Sequence, residues 1–217
     1  MEHAKQLYKR AMRLFVNGGP ESHNELFSLM SQAAKAGSDE AAAALGTFYD
    51  YGIGTKKNPS RAVRLYRQAA LIGNPDAYYN LGLSLYEGRG VKRSQKEAVK
   101  WFRKAAKLGS PDAVHQLGYC YRYGHGVRRN QRRGFELEKQ SAEAGYPEAQ
   151  FSVGVCYSRG EGIPADPKEA FRWFLKAAKR GHRDAAHNVG HFYETGRGVR
   201  MDKKKAELWY SRESAAL

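Results

Sequence analysis

Two stretches of the chain have residue types and spacing that suit chemistry. Asp184, His187, His191 and Glu194 fall at i, i+3, i+7 and i+10, one stripe of a helix. An H-x-x-x-H pair can hold zinc from a single helical face. Here the intervening residues are Asn-Val-Gly, so the glutamate of H-E-x-x-H, the general base of a hydrolase, is missing. The stripe reads first as a polar wall, and no metal is assigned to it. The second stretch, GYCYRYGHGVRRNQRRG over 118–134, sets glycines two apart before Arg128, Arg129, Arg132 and Arg133, in the manner of a phosphate-cradling loop. Arg129 stands where the third glycine of G-x-G-x-x-G belongs, and a helical pattern precedes the loop instead of a strand. No G-x-S-x-G, S-x-x-K or P-loop is present. The residues point away from an enzyme and call for no cofactor.

The G-x-G element makes sense only against the whole chain. Gly37, Gly73, Gly109, Gly145 and Gly181 are spaced by 36 residues, as are Gly46, Gly82, Gly118, Gly154 and Gly190. The pairs at 52–54, 88–90, 124–126, 160–162 and 196–198 keep the same period. Internal repetition at this length is the signature of a solenoid. Within each copy apolar residues recur every three or four positions, and glycines stop each run after about a dozen residues. Each copy is therefore a helix hairpin: helix A, a G-x-G turn, helix B and a glycine stop. One hairpin cannot bury its own apolar face, so copies must stack. The expected fold is an all-α, right-handed α/α solenoid in one continuous domain. A degenerate capping hairpin at 1–37 precedes five repeats at about 38–73, 74–109, 110–145, 146–181 and 182–217. Glu213 and Ser214, in place of an Ala-Ala pair, are read as the polar outer face of the last hairpin. Gly134 replaces a recurrent alanine and Leu137-Glu138 a Trp-Phe or Leu-Tyr pair, so the third repeat is expected to be the loosest.

Composition limits the function. The chain has 217 residues, a net charge of +15 and 27% charged residues. No apolar run approaches the roughly 18 residues of a membrane span, and the start MEHAKQLYKRAMRLF lacks a signal-peptide core. A cytoplasmic monomer without an integral membrane segment is expected. The positive charge favours anionic partners. Cys120 and Cys156 share one repeat position on successive A helices and are expected to stay reduced, because neighbouring helix axes lie about 8–10 Å apart, too far for a bridge.

The pattern A-x-x-x-L-G-x-x-Y-x-x-G-x-G-V followed by A-x-x-W-[FY]-x-K-A-A-x-x-G resembles the Sel1-like repeat family, relatives of tetratricopeptide repeats. Ala77–Gly109 and Ala149–Gly181 are its clearest copies, and the resemblance covers about residues 25–217. It implies a non-enzymatic adaptor that binds another protein in a concave groove lined by the A helices. Carried over from the tetratricopeptide pattern, the groove positions select Tyr51, Tyr79, Tyr86, His115, Tyr119, Arg122, Tyr123, Phe151, Arg159, His187 and His191. Aromatic anchors with arginine are the mixture enriched at binding hot spots. Arg122 and Arg159 suit a carboxylate or phosphate, so an extended or helical acidic segment is the expected partner. Tyr121, Tyr157 and Tyr193 occupy the family's own tyrosine position and are expected to pack between helices.

An alternative lies on the A–B turns. Lys56, Lys92, Arg93, Arg128, Arg129, Arg132 and Arg133 should align into a basic ridge. Between Arg89 and Arg133 there are thirteen basic residues against two acids. Such a ridge would give salt-sensitive contact with nucleic acid or an anionic membrane, although it lacks the interleaved aromatics that stack on bases.

Overall fold

The computed structural model describes residues 2–214. The elements are α1 (Glu2–Asn17), a 3₁₀ turn at Pro20–Ser22, α2 (His23–Lys35), α3 (Asp39–Tyr51), α4 (Pro59–Leu71), α5 (Pro75–Glu87) and α6 (Gln95–Lys107), then α7 (Pro111–Tyr123), α8 (Gln131–Glu143), α9 (Pro147–Arg159), α10 (Pro167–Lys179), α11 (Arg183–Thr195) and α12 (Lys203–Ser214). No strand occurs among the described residues. The fold class is the all-α solenoid of 36-residue hairpins. Its helices group into two compact units, Met1–Leu108 and Gly109–Leu217. The place of Glu213 and Ser214 in a polar cap lies outside the described side chains.

Helix boundaries follow from local chemistry. Side chains of Ser38, Asn58, Asn74, Ser94, Ser110, Asn130 and Asp166 each accept a hydrogen bond from a first-turn amide, as N-caps do. His182 serves as the N-cap of α11, its Nδ1 accepting from the Ala185 amide at 3.2 Å. At the other end of each A helix the first turn glycine takes the left-handed conformation, as Gly88 does at φ 81°, where a side chain would be strained. The second turn glycine has a different task. A Cβ on Gly90 would lie 2.3 Å from the Pro59 carbonyl carbon, and one on Gly198 would lie 2.3 Å from the Pro167 oxygen. G-x-G is therefore both a helix stop and the point where one repeat rests on the start of the previous helix B.

In the first unit α1 pairs with α2, α3 with α4 and α5 with α6, while α2 packs on α3 and α4 on α5. In the second unit α7 pairs with α8, α9 with α10 and α11 with α12, while α8 packs on α9 and α10 on α11. The glycine inside each A helix faces an aromatic ring of its own helix B: Gly46 on Tyr66, Gly82 on Phe102, Gly154 on Phe174 and Gly190 on Tyr210. A Cβ there would meet ring carbons at 2.4–2.6 Å, so the glycine costs helix propensity and admits a buried ring.

The third repeat departs from this scheme, and the expectation that it is loosest is corrected. Glu138 occupies the ring position against Gly118. A Cβ on Gly134 would meet the Gly118 carbonyl oxygen at 2.7 Å and the Arg122 amide nitrogen at 2.8 Å. With no ring between them, α7 and α8 meet backbone to backbone. Cys120 and Cys156 are free and fully buried, as expected. Burial pushes both thiols up to about 12.

Candidate functional site

The groove residues fall at four places relative to the glycine inside each A helix, three before it and one, four and five after it, and these places differ in environment. The residue three before the helix glycine lies against neighbouring rings. Tyr79 is 6.0 Å from Phe102 between centroids, His187 is 5.3 Å from Tyr210, and Phe151 is 5.6 Å from Phe174 and stacks on His182 at 4.4 Å. His115 lies 5.5 Å from Tyr146, and burial, with Arg122 nearby, lowers its pKa to about 4. The position four after the glycine makes contacts within the protein. Tyr86 is half-buried near Phe102, and Asp50 and Arg122 are buried. The position five after it is exposed and carries Tyr51, Tyr123 and Arg159, with Tyr51 at 58% and Tyr123 at 40% of full exposure.

Arg122 therefore does not face a ligand as its sequence position suggested. Only 3% of it is exposed, and its Nη1 donates to the Cys156 sulfur at 2.8 Å. The same nitrogen lies 3.3 Å from Glu138 Oε2 and 3.7 Å from Glu161 Oε2. Glu138 is wholly buried, and burial raises its carboxyl to about 7 against the pull of Arg122. This buried pair fills the space that a phenylalanine or tyrosine fills in the other repeats. The guanidinium also lies 4.8 Å from the centroid of Tyr123, fixing one face of that ring.

A related arrangement occurs in the first unit. Arg89, the middle residue of its turn, donates from Nη1 to Asp50 Oδ2 at 2.7 Å, and its Nε lies 2.5 Å from Glu87. Its guanidinium is 5.7 Å from the Tyr51 ring. Arg197, in the same turn position, donates to the Ser158 carbonyl at 2.8 Å. As Arg89, Glu161 and Arg197, the middle residue of G-x-G reaches back 39 residues to the preceding A helix, a contact that the turn pattern alone does not suggest. Opposite charges at that spacing, Asp50/Arg89 and Arg122/Glu161, were the available signal. Phe15, exposed and 36 residues before Tyr51, was also missed because the first hairpin lacks the Leu-Gly pair.

In the second unit α7 and the turn after it carry an aromatic cluster in which Tyr123 is exposed and Tyr119 and His125 are half-buried. Tyr119 and Tyr123 have centroids 4.6 Å apart, and His125 lies 5.5 Å and 6.0 Å from them. Arg159 is exposed, with Glu161 at 3.6 Å as its nearby acid.

The set of basic turn residues is exposed, Lys56, Lys92 and Arg93 in the first unit and Arg128, Arg129, Arg132 and Arg133 in the second. Several of its charges have work inside the fold. Arg93 donates to the Tyr86 carbonyl at 3.0 Å and Arg129 to the Arg122 carbonyl at 3.1 Å, each satisfying a helix end. Arg133 lies over Tyr121 at 4.8 Å, and Arg132 pairs with Glu136 at 3.3 Å. Tyr121 is buried, while Tyr157 and Tyr193 pack edge-on against Phe135 and Phe171. On the histidine stripe, His191 faces Glu194 at 3.7 Å, and Glu194 accepts from the Tyr210 hydroxyl at 3.0 Å. Among the described residues no three His, Cys, Asp or Glu side chains converge as a metal requires.

The repeat's family model, "Sel1 repeat", matches at residues 39–74, 75–110, 111–146, 147–182 and 183–212. The chain belongs to the Sel1 repeat family. A Sel1 repeat protein from Oxalobacter formigenes is similar at 28% identity and a TM-score of 0.80, over 96% of this chain and 82% of that one. A protective antigen of uropathogenic Escherichia coli with this repeat fold is similar at 29% identity and a TM-score of 0.77, over 98% of this chain and 48% of that one. An immunity protein of Pseudomonas aeruginosa, 22% identical with a TM-score of 0.69, shares the fold over 99% of this chain and 82% of its own. Among curated proteins no match is found. Sel1 repeat proteins are generally non-enzymatic scaffolds for protein–protein interaction. Among the described residues no helix is long and apolar enough to cross a membrane.

Proposed function

We propose that this Sel1 repeat chain is an interaction scaffold that holds a peptide segment of a partner protein on the A-helix face of its second unit. The observation that carries this reading is the Tyr119–Tyr123–His125 cluster, in which Tyr123 is exposed with the half-buried Tyr119 and His125 beside it, set on a guanidinium that is itself buried and paired with Glu138. Rigid aromatic side chains give contact area with little loss of rotamer freedom, and anchors of this kind dominate binding energy. Arg159 stands exposed on the same face and suits a carboxylate, so an acidic segment is the preferred ligand. Arg122 serves as a support for the site.

The test is affinity capture followed by mass spectrometry, comparing the wild type with Tyr119→Ala/Tyr123→Ala and with Arg159→Glu. Partners lost from both variants are the expected result. Equal capture by a folded double tyrosine variant would overturn the reading. A second reading, polyanion contact through the turn ridge, draws on the exposure of Lys56, Lys92 and Arg128. Arg128→Glu/Arg132→Glu leaves the Arg129 and Arg133 contacts intact. It should abolish a low-salt mobility shift with nucleic acid if that reading holds.

A further inference from the structure

The turns on the opposite edge of the first unit, between helix B and the next helix A, carry an apolar tip. Leu71, the last residue of α4, is 88% exposed, and Ile72 beside it is 57% exposed. Leu108, one repeat after Ile72, is 55% exposed. The repeat supplies its own controls for how unusual this is. The places equivalent to Leu71 hold Lys35, Lys107, Glu143 and Lys179, all charged. Those equivalent to Ile72 and Leu108 in the second unit hold Ala144 and Arg180. Folding needs no leucine or isoleucine here, since the same turn closes with charged residues elsewhere. Leu71, Ile72 and Leu108 belong to none of the described core clusters, so their exposure calls for another explanation.

We infer that this edge is a docking surface for an anionic lipid bilayer, with Leu71, Ile72 and Leu108 entering the headgroup–acyl boundary. Placement favours a bilayer over a peptide, because the three side chains stand exposed at the ends of two successive B helices and line none of the described pockets. Charge favours an anionic one. Lys35 and Lys107 are exposed at the repeat positions on either side of Leu71, and Arg67 is exposed one helical turn before it. Asp39, Glu40 and Asp76 begin the adjoining A helices, and the chain's overall +15 outweighs them in long-range attraction. Aliphatic insertion together with lysine attraction is the combination that gives reversible attachment to anionic membranes. The edge is separate from the arginine-rich A–B turns and from the tyrosine cluster.

Sedimentation with phosphatidylcholine vesicles, with and without phosphatidylglycerol, tests the inference on the full chain. Wild type is expected to sediment with the anionic vesicles and to be weakened, without being fully released, by salt. The deciding variant is Leu71→Lys with Ile72→Arg, which installs residues that neighbouring repeats already tolerate. This variant is more positive, so purely electrostatic attachment through any face would strengthen, whereas insertion predicts a loss of at least tenfold. Unchanged or stronger binding by the variant, or no wild-type binding at low salt, would overturn the inference. Circular dichroism confirms that the variant is folded.

Discussion

The buried Arg122–Glu138 pair allows an internal comparison, because four sibling repeats place a ring where Glu138 stands. Arg122→Leu would strand a wholly buried carboxylate at 3.3 Å from its lost cation, and such a break costs about 3–5 kcal/mol. The cost should shrink on acidification. A carboxyl already raised to about 7 readily takes a proton, which leaves an unmade hydrogen bond costing about 1–3 kcal/mol. The triple variant Arg122→Ser, Gly134→Ala, Glu138→Phe copies Ser158, Ala170 and Phe174 of the next repeat. It removes both charges together and restores a ring against Gly118, so it should be neutral or more stable by about 1–4 kcal/mol. Urea denaturation followed by circular dichroism at about pH 5 and about pH 8, on either side of the raised Glu138 value, measures all three proteins. A single Arg122→Leu loss below about 1 kcal/mol at the higher pH would refute the claim that the pair is a coupled, desolvated unit.

Gly134→Ala alone should destabilise, although alanine gains about 1 kcal/mol of helix propensity. Its Cβ would press on backbone atoms of α7, so a net loss of about 1–3 kcal/mol is expected from the urea midpoint. Asp50→Arg and Arg89→Asp should each lower stability, and the double swap should recover part of it. A thermal double-mutant cycle with no coupling would deny the pair a role in repeat stacking. The pH response has two opposed contributors. Glu138, raised to about 7, favours the folded state below its unfolded value near 4.5 and loses that contribution as pH rises through about 7. His115, lowered to about 4, contributes above 6.5 and loses that contribution as pH falls toward 4. The two offset one another in wild type between those limits, so His115→Phe should make stability rise on acidification, and Glu138→Gln should make it fall, in melts across that range.

The repeat, its hairpins and the all-α class were legible because each is written five times. Glycine spacing marks the caps, and apolar spacing marks the faces. The inward turn of Arg122 was not legible. Its position is exposed as Glu194 and half-buried as Ser158, and what pulls it in is the joint presence of Glu138 and Gly134 in the partner helix. Both substitutions were visible in the sequence, but read separately they suggested loosening. Read together, a carboxylate replacing a ring and a lost methyl describe a charge entering the gap. The ridge was legible as exposed charge. Its helix-capping and ring contacts were not, since they depend on turn geometry that charge alone does not encode.

The exposed tyrosine of each unit is held by an arginine, and each arginine by a carboxylate, yet the arrangements have different origins. Beneath Tyr51 the arginine is Arg89 from the following turn, tied to Asp50; beneath Tyr123 it is Arg122 from the same helix, tied to Glu138. A ring fixed on one face has less freedom to lose when a ligand meets the other, which favours binding without any new contact. The same design exposes the site to distant damage. Substituting Glu138, which no ligand can touch, should weaken a partner held by Tyr123 by releasing Arg122, while an Arg159 change should act only through lost charge. Affinities of Glu138→Gln and Arg159→Gln compared at low and high salt separate these routes, because only the Arg159 effect should fade as salt screens the exposed charge.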